Sequence, residues 1–312
     1  MDSILYWVAR MLLALIQSLP LMIVARLGRS VGMLAYWLDA RHRKVALSNL
    51  HLCFGREKSA AELRAVAREN FRRIGENFAC SARTAVMTHE ELKPHFDLIG
   101  AEKIRSKTAT GRPPNRVVAI GHFGNFELYV RFKDFVPEVT CATTYRGLPQ
   151  PSLDKLLKSM RERSGCLFFE RRSDSDALRE AMNGKGLLLG LLCDQNAGRA
   201  GVRLPFLGQE CSTSVAPAVF ALRYRCPLYT SICYRVGLAH WRIEVGDLIA
   251  THDGEKPRTV EAIMNDVNRA LEAGVRRDPA NWFWVHDRWK ETRRRKLKRA
   301  RKAAVAAQSN QT

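Results

Sequence analysis

The 312-residue chain has no Cys-x-x-Cys pair and no His-Glu-x-x-His. The first absence argues against a zinc ribbon or a thioredoxin-like redox centre. The second removes the helix-borne zinc site of metalloproteases. The chain's Gly-x-Ser-x-Gly, Gly28-Arg-Ser-Val-Gly32, lies in the amino-terminal apolar region rather than after a buried strand, so it does not read as the nucleophile elbow of serine hydrolases. Its eight histidines and eight cysteines are scattered singly. Several cysteines lie inside apolar runs, where a thiol behaves as a small hydrophobe, so they read as reduced and cytosol-facing. No small-residue cleavage site closes the amino-terminal apolar run, which argues against a removed signal peptide. Acidic residues are scarce: 31 Asp and Glu face 51 Lys and Arg, a formal charge of +20. That surplus favours an anionic partner: nucleic acid, an acidic membrane face, a phosphorylated substrate or an acidic carrier protein.

What is present can build a large core, since 46% of residues are hydrophobic. One large α/β domain with additions at its ends fits this length. Residues 4–25 are mostly apolar but interrupted by Arg10, Gln17, Ser18 and Pro20. A second apolar stretch, 31–38, comes after Arg26 and Arg29. A spanning helix needs ~20 mostly apolar residues, so this segment either crosses once or lies in the interface as a hairpin broken near Pro20. The basic cluster Arg41-His-Arg-Lys44 puts the downstream chain on the cytoplasmic side. The chain therefore divides into an amino-terminal membrane-associated helical segment (1–40), an α/β domain (41–290) and a basic tail (291–312).

Apolar spacing predicts a helix over 59–86, started by the capping box Ser59-Ala-Ala-Glu62. Strands are expected at 117–120, 139–145, 167–169, 187–193, 227–235 and 241–245. Helices are expected at 126–135, 152–163, 173–183 (capped by Ser173), 212–224 and 259–275. Strands spaced by helices of this length predict a mainly parallel central sheet covered by helices on both faces.

The chemistry concentrates in Gly121-His-Phe-Gly-Asn-Phe-Glu127, where a buried strand hands over to a helix. Residues five apart on one helix are separated by about 140°, so His122 and Glu127 can meet only if His122 lies in the turn, which the glycines would permit. The pair then reads as a general base and the carboxylate that orients it, with the nucleophile supplied by an acceptor hydroxyl.

His122 and Glu127 match the His-x4-Asp/Glu motif of glycerolipid-type acyltransferases, and the chain resembles the lipid A biosynthesis acyltransferase family. The resemblance runs through Asn49-Leu-His-Leu-Cys-Phe54, Thr144-Tyr-Arg146, Arg161-Glu-Arg-Ser-Gly165, Asp194-Gln195, Leu204-Pro-Phe-Leu-Gly208 and Asn281-Trp-Phe-Trp-Val-His-Asp-Arg-Trp-Lys290. It implies a fatty acyl thioester donor, usually acyl carrier protein, a glycolipid acceptor, and work at the inner (cytoplasmic) membrane with the catalytic domain facing the cytoplasm. It implies His122 as base and Glu127 as its orienting group. Arg146 and Arg163 match basic positions suited to phosphates. Asp194 and Gln195 end an apolar strand, where they would orient a sugar or buttress His122. Phe168 and Phe206 are candidates for an acyl channel or for plain core. No resident cofactor or metal is expected beyond the acyl-ACP or acyl-CoA co-substrate.

The family pattern is broken at Gly147-Leu-Pro-Gln150 and at Pro205-Phe-Leu-Gly208, which leaves the acceptor open, including another membrane lipid acylated from acyl-CoA. A basic nucleic-acid-binding protein is the non-enzyme alternative, but the basic residues carry no interleaved aromatic platform, so no nucleic acid is expected. Trp282, Trp284 and Trp289 read either as an interfacial aromatic stretch beside an anionic membrane surface or as core.

Overall fold

The computed structural model describes residues 2–105 and 114–292. Helices α1 (Asp2–Ser18), α2 (Leu21–Leu38), α3 (Ala40–Phe54) and α4 (Ala60–Thr84) come first, then α5 (His89–Leu92), β1 (Phe96–Ile99) and α6 (Glu102–Arg105). Strand β2 (Arg116–Ile120) leads into a 3-10 helix (Phe126–Asp134). Next come β3 (Thr140–Tyr145), α7 (Pro151–Glu162), β4 (Leu167–Glu170), α8 (Ser175–Asn183) and β5 (Leu187–Leu192). The hairpin β6 (Val202–Phe206) and β7 (Gln209–Thr213), helix α9 (Ala216–Arg223), strands β8 (Leu228–Gly237) and β9 (His240–Ile249), and helix α10 (Val260–Arg277) complete the order.

The sheet runs β1-β9-β8-β2-β5-β3-β4. All its pairings are parallel except β8 with β9, which a tight turn joins antiparallel. Alternation along each strand feeds two cores. Val117, Ala119, Leu187, Leu189 and Leu191 face one side, toward α8, α9 and α10. Val118, Ile120, Leu188, Ile243 and Val245 face the other, toward α2 and the 3-10 helix. The expected parallel α/β sheet is therefore the observed one.

Helix α4 starts as its sequence predicts: the Glu62 carboxylate accepts the Ser59 N–H at 2.7 Å while Ser59 Oγ accepts from Glu62 N–H. Helix α2 lies along it. The buried stripe Leu21, Val24, Ala25, Gly28 and Gly32 faces α4, and Gly75 lets the two backbones approach so closely that an added Cβ would meet the Gly28 carbonyl and the Gly32 nitrogen. Arg29 crosses the seam to Glu69 at 2.9 Å and to the fully buried Glu76 at 3.2 Å. Helix α2 is also long and apolar enough to cross a membrane. Its outer face carries Leu27, Val31, Leu34, Trp37 and Leu38, and α1 exposes Trp7, Met11, Leu12 and Leu15.

Two local expectations are corrected, and one left open between two readings is decided. Helix α8 begins at Ser175 with Asp174 at its N-cap, because the Ser173 hydroxyl donates to Asp174 and Asp174 accepts the Glu170 N–H instead. The helix expected over 212–224 starts only at Ala216; residues 209–213 form β7, paired with a β6 not foreseen behind Pro205. The tryptophans are core: Trp282, Trp284 and Trp289 are buried and pack on one another and on Phe206. Their indole N–H groups donate to Asp194, the Pro279 carbonyl and the Gln209 carbonyl, which leaves no interfacial role. All eight cysteines are free and seven are buried. The basic tail falls, from residue 293 on, outside the described residues.

Candidate active site

The site forms where β2 ends. Its carboxyl end is flanked by β5 and β8, the position at which parallel sheets present their ligands. The chain turns through Gly121 to Gly124 rather than continuing into a helix. Gly124 has φ +49°, and a Cβ there would sit 2.6 Å from the Cys233 carbonyl oxygen, so this position needs glycine for both conformation and space. The Gly124 N–H donates to the Asn281 carbonyl at 3.0 Å, which removes it as an oxyanion donor. Phe123 and Trp282 form a bridge that pins the turn to the carboxyl-terminal segment.

The carboxylate on the imidazole is Asp194. Its Oδ1 lies 2.6 Å from His122 Nδ1, and its Oδ2 accepts the His122 backbone N–H and the Trp282 indole N–H, each at 2.7 Å. Asp194 is 1% exposed. Burial by itself raises a carboxyl pKa, but the His122 ring, these hydrogen bonds and the Arg288 charge outweigh it and hold Asp194 down at about 2. An ionised Asp194 accepts only, so Nδ1 carries the imidazole proton and Nε2 presents its lone pair. The Gln195 amide nitrogen lies 3.2 Å from that Nε2.

Glu127 does not orient His122. On the first turn of the 3-10 helix its carboxylate takes Arg161 of α7, Nη2 to Oε1 at 2.6 Å and Nε to Oε2 at 3.4 Å. The physical reason is that the tight turn after Gly121 sends the ring toward the end of β5, and the first turn of the 3-10 helix leads the Glu127 side chain toward α7. Phe126 packs edge-on against the ring instead, 4.8 Å between centroids. Asp194 and Gln195, expected to orient a sugar or buttress the histidine, both lie against its ring.

His122 stands on the wall of a cavity of about 930 Å³. Val118, Ile120, Leu188 and Leu192 form its apolar floor, Phe132 and Phe168 part of its sides, and Arg146, Arg161 and Arg171 carry positive charge on its lining. Arg163 is not on that lining; it is the exposed C-cap of α7, while Arg161, two residues earlier, points inward. Phe206 is fully buried core under the Arg288 guanidinium, 4.3 Å from its ring. His286 also lines the cavity; its Nε2 accepts the Asn196 N–H at 3.0 Å, and burial pushes its pKa down to about 4. The Cys193 thiol beside Asp194 is pushed up to about 12 by burial, so it does not compete as a nucleophile.

The site thus sets an imidazole held by a buried carboxylate on the wall of a large cavity with an apolar floor. The model of the bacterial lipid A biosynthesis acyltransferase family matches residues 2–291. The chain belongs to that family. It is 25% identical over 289 residues to the lipid A biosynthesis lauroyltransferase of Escherichia coli (strain K12), covering 91% of this chain and 90% of the relative. To the lipid A biosynthesis palmitoleoyltransferase of the same organism it is 23% identical over 279 residues, 88% and 87% of the two chains. The lipid A biosynthesis acyltransferase of Shigella flexneri gives the same figures. The enzyme is accordingly an acyltransferase of lipid A biosynthesis.

Among the site residues, the sequence does not single out Arg161 and His286, and it marks Trp282 only as an interfacial or core aromatic. Each lies in a segment that carried the resemblance, but nothing in the spacing shows that the indole of residue 282 reaches the carboxylate of residue 194.

Proposed function

We propose that His122, held by Asp194, removes the proton from an acceptor hydroxyl as that oxygen attacks the carbonyl of a fatty acyl thioester. The new C–O bond forms while the proton passes to Nε2. Collapse of the tetrahedral intermediate breaks the C–S bond, and the departing sulfur takes the proton back from the imidazolium, so the thiol leaves and His122 is restored. General base catalysis of this kind contributes ~10²–10⁴-fold. The observation that carries this reading is the doubly bonded His122–Asp194 pair at the wall of a cavity of about 930 Å³ with an apolar floor.

The acceptor is a lipid A precursor or related glycolipid, and the donor is acyl carrier protein, whose acidic surface suits the net charge. Acyl-CoA is the alternative donor, and no resident cofactor enters. Arg146 and Arg171 on the cavity lining suit phosphates of the acceptor or of the carrier's prosthetic group. Arg161, clamped by Glu127, shapes the wall between them and His122.

Helices α1 and α2 rest on the membrane surface and do not cross it, because α2 is committed to charged α4 through Arg29, Glu69 and Glu76 and lipid would strand those charges. Their outward apolar side chains enter the interface. Helix α1 touches α7, which lines the cavity, so the lipid-facing layer adjoins the route by which a glycolipid enters. On this reading the enzyme works at the inner membrane with its catalytic domain in the cytoplasm.

The test is acyl transfer from acyl carrier protein thioesters to a lipid A precursor in mixed micelles. Wild-type enzyme transfers and His122→Ala loses ~10²–10⁴-fold; full activity in the variant would remove the mechanism. Flotation with anionic vesicles checks the membrane reading, with Leu12→Glu/Leu15→Glu expected to stay in the soluble fraction.

A further inference from the structure

Strand β5 reads Leu187-Leu-Leu-Gly-Leu-Leu192 and sits in the middle of the sheet between β2 and β3. On its cavity side the side chains are Leu188, Gly190 and Leu192. Glycine inside a strand weakens it and often marks a place where something approaches the backbone closely. Protein packing does not account for it here. A Cβ built on Gly190 would meet Ile120 Cδ1 at 3.5 Å and the Ala142 carbonyl at 3.8 Å, both ordinary contacts. Nor does backbone conformation, since Gly190 is not among the glycines with positive φ. Neither reason that usually fixes a buried glycine applies, which leaves the cavity itself.

Position along the strand gives the gap a meaning. Leu192 pairs with Ile120, the last residue of β2 before the His122 turn, and Gly190 pairs with Val118. Gly190 therefore lies about 7 Å further in than the catalytic end, by the rise of two strand residues. Beyond it the cavity continues to Leu188, Cys141 and Cys166. The other neighbour in register, Thr143, turns its hydroxyl onto the Gly190 carbonyl at 2.8 Å. At the level of Gly190 the strand thus puts no side chain into the floor, between Leu192 at the His122 end and Leu188 further in.

We propose that Gly190 sets the length of acyl chain the enzyme accepts, by leaving open the passage from His122 to the inner end of the cavity. This rests on the reading above that the cavity holds the donor's acyl chain. A longer side chain at this position closes the passage, and each methylene then denied burial lowers kcat/KM by about fourfold. A methyl group fits without displacing anything, so Gly190→Ala is the folded control.

The experiment measures kcat/KM for a homologous series of saturated acyl carrier protein thioesters with wild type, Gly190→Ala and Gly190→Leu. Gly190→Leu is expected to shift the optimum to shorter chains, with short donors transferred at near wild-type rates and long ones falling about fourfold per carbon excluded. Gly190→Ala shifts it less in the same direction. An unchanged chain-length ranking in both variants overturns the proposal, as does Gly190→Leu inactive with every donor beside an unshifted Gly190→Ala. Displacement of a fluorescent fatty acid by free fatty acids of the same series gives a readout without turnover. If wild type transfers no acyl group but the variants still bind shorter chains preferentially, the function reading fails and the role of Gly190 stands.

Discussion

Asp194 holds His122 at two points, through the ring Nδ1 at 2.6 Å and through the backbone N–H at 2.7 Å. The first contact fixes the tautomer and the second fixes the turn, so one buried carboxylate sets both the tautomer and the position of the imidazole.

Asp194→Asn should therefore be far more damaging than Glu127→Gln. The equivalent Asp-to-Asn change behind a catalytic histidine in serine proteases costs about 10⁴ in kcat through the wrong tautomer. We expect ~10³–10⁴ here. Glu127→Gln loosens only the partly buried Arg161 pair and should stay within about tenfold. Measured kcat values in the opposite order would put Glu127, not Asp194, in charge of the imidazole.

The Gln195 amide lies on His122 Nε2, the place that the acceptor hydroxyl takes in the proposed mechanism. Gln195→Glu sets a carboxylate there, which stabilises the imidazolium. The base then becomes available only at higher pH, and the acid limb of the kcat/KM profile should move up by about 1–3 units. A merely structural role for Gln195 would lower the whole profile without moving that limb.

Much of this was legible in the sequence, and the misses have physical causes. The strands β2 and β5 show as apolar runs because parallel strands are buried on both faces, and α4 announces itself through Ser59 and Glu62. Strand β7 was hidden in Gln209-Glu-Cys-Ser-Thr213, where its pairing with β6 rather than any apolar pattern defines it. The His-x4-Glu spacing pairs His122 with Glu127, whereas the carboxylate on the ring in the fold is Asp194. A partner 72 residues away in sequence is set by the sheet order that brings β5 beside β2, and spacing within one motif does not register that.

Stability should fall with acid before the carboxylates titrate. His286 has a folded pKa of about 4 against an ordinary 6.5, so the unfolded chain binds more protons between those values. Its contribution is fully present above pH 6.5 and is lost as pH falls toward 4. Protonation there also destroys the acceptor for the Asn196 N–H. Thermal melts across this window should decline for wild type and flatten in His286→Gln; an equal slope in both would show that another group titrates.

The α2–α4 seam makes a separate prediction. Gly75→Ala places a methyl group against the Gly28 carbonyl and should cost about 1–3 kcal/mol, as overpacking does. Urea titration would read it as a lower midpoint at an unchanged slope. Little change would mean that α2 is held chiefly by the Arg29 ion pairs.

The Phe123–Trp282 bridge bears on how the enzyme is made. His122, Asp194 and Trp282 come from three distant stretches of chain, and the last of them leaves the ribosome when most of the protein has already emerged. Until then Asp194 lacks its indole donor and the turn after β2 lacks its clasp. A nascent or truncated chain ending before Asn281 is therefore expected to be inert, which keeps a half-made enzyme from touching acyl thioesters.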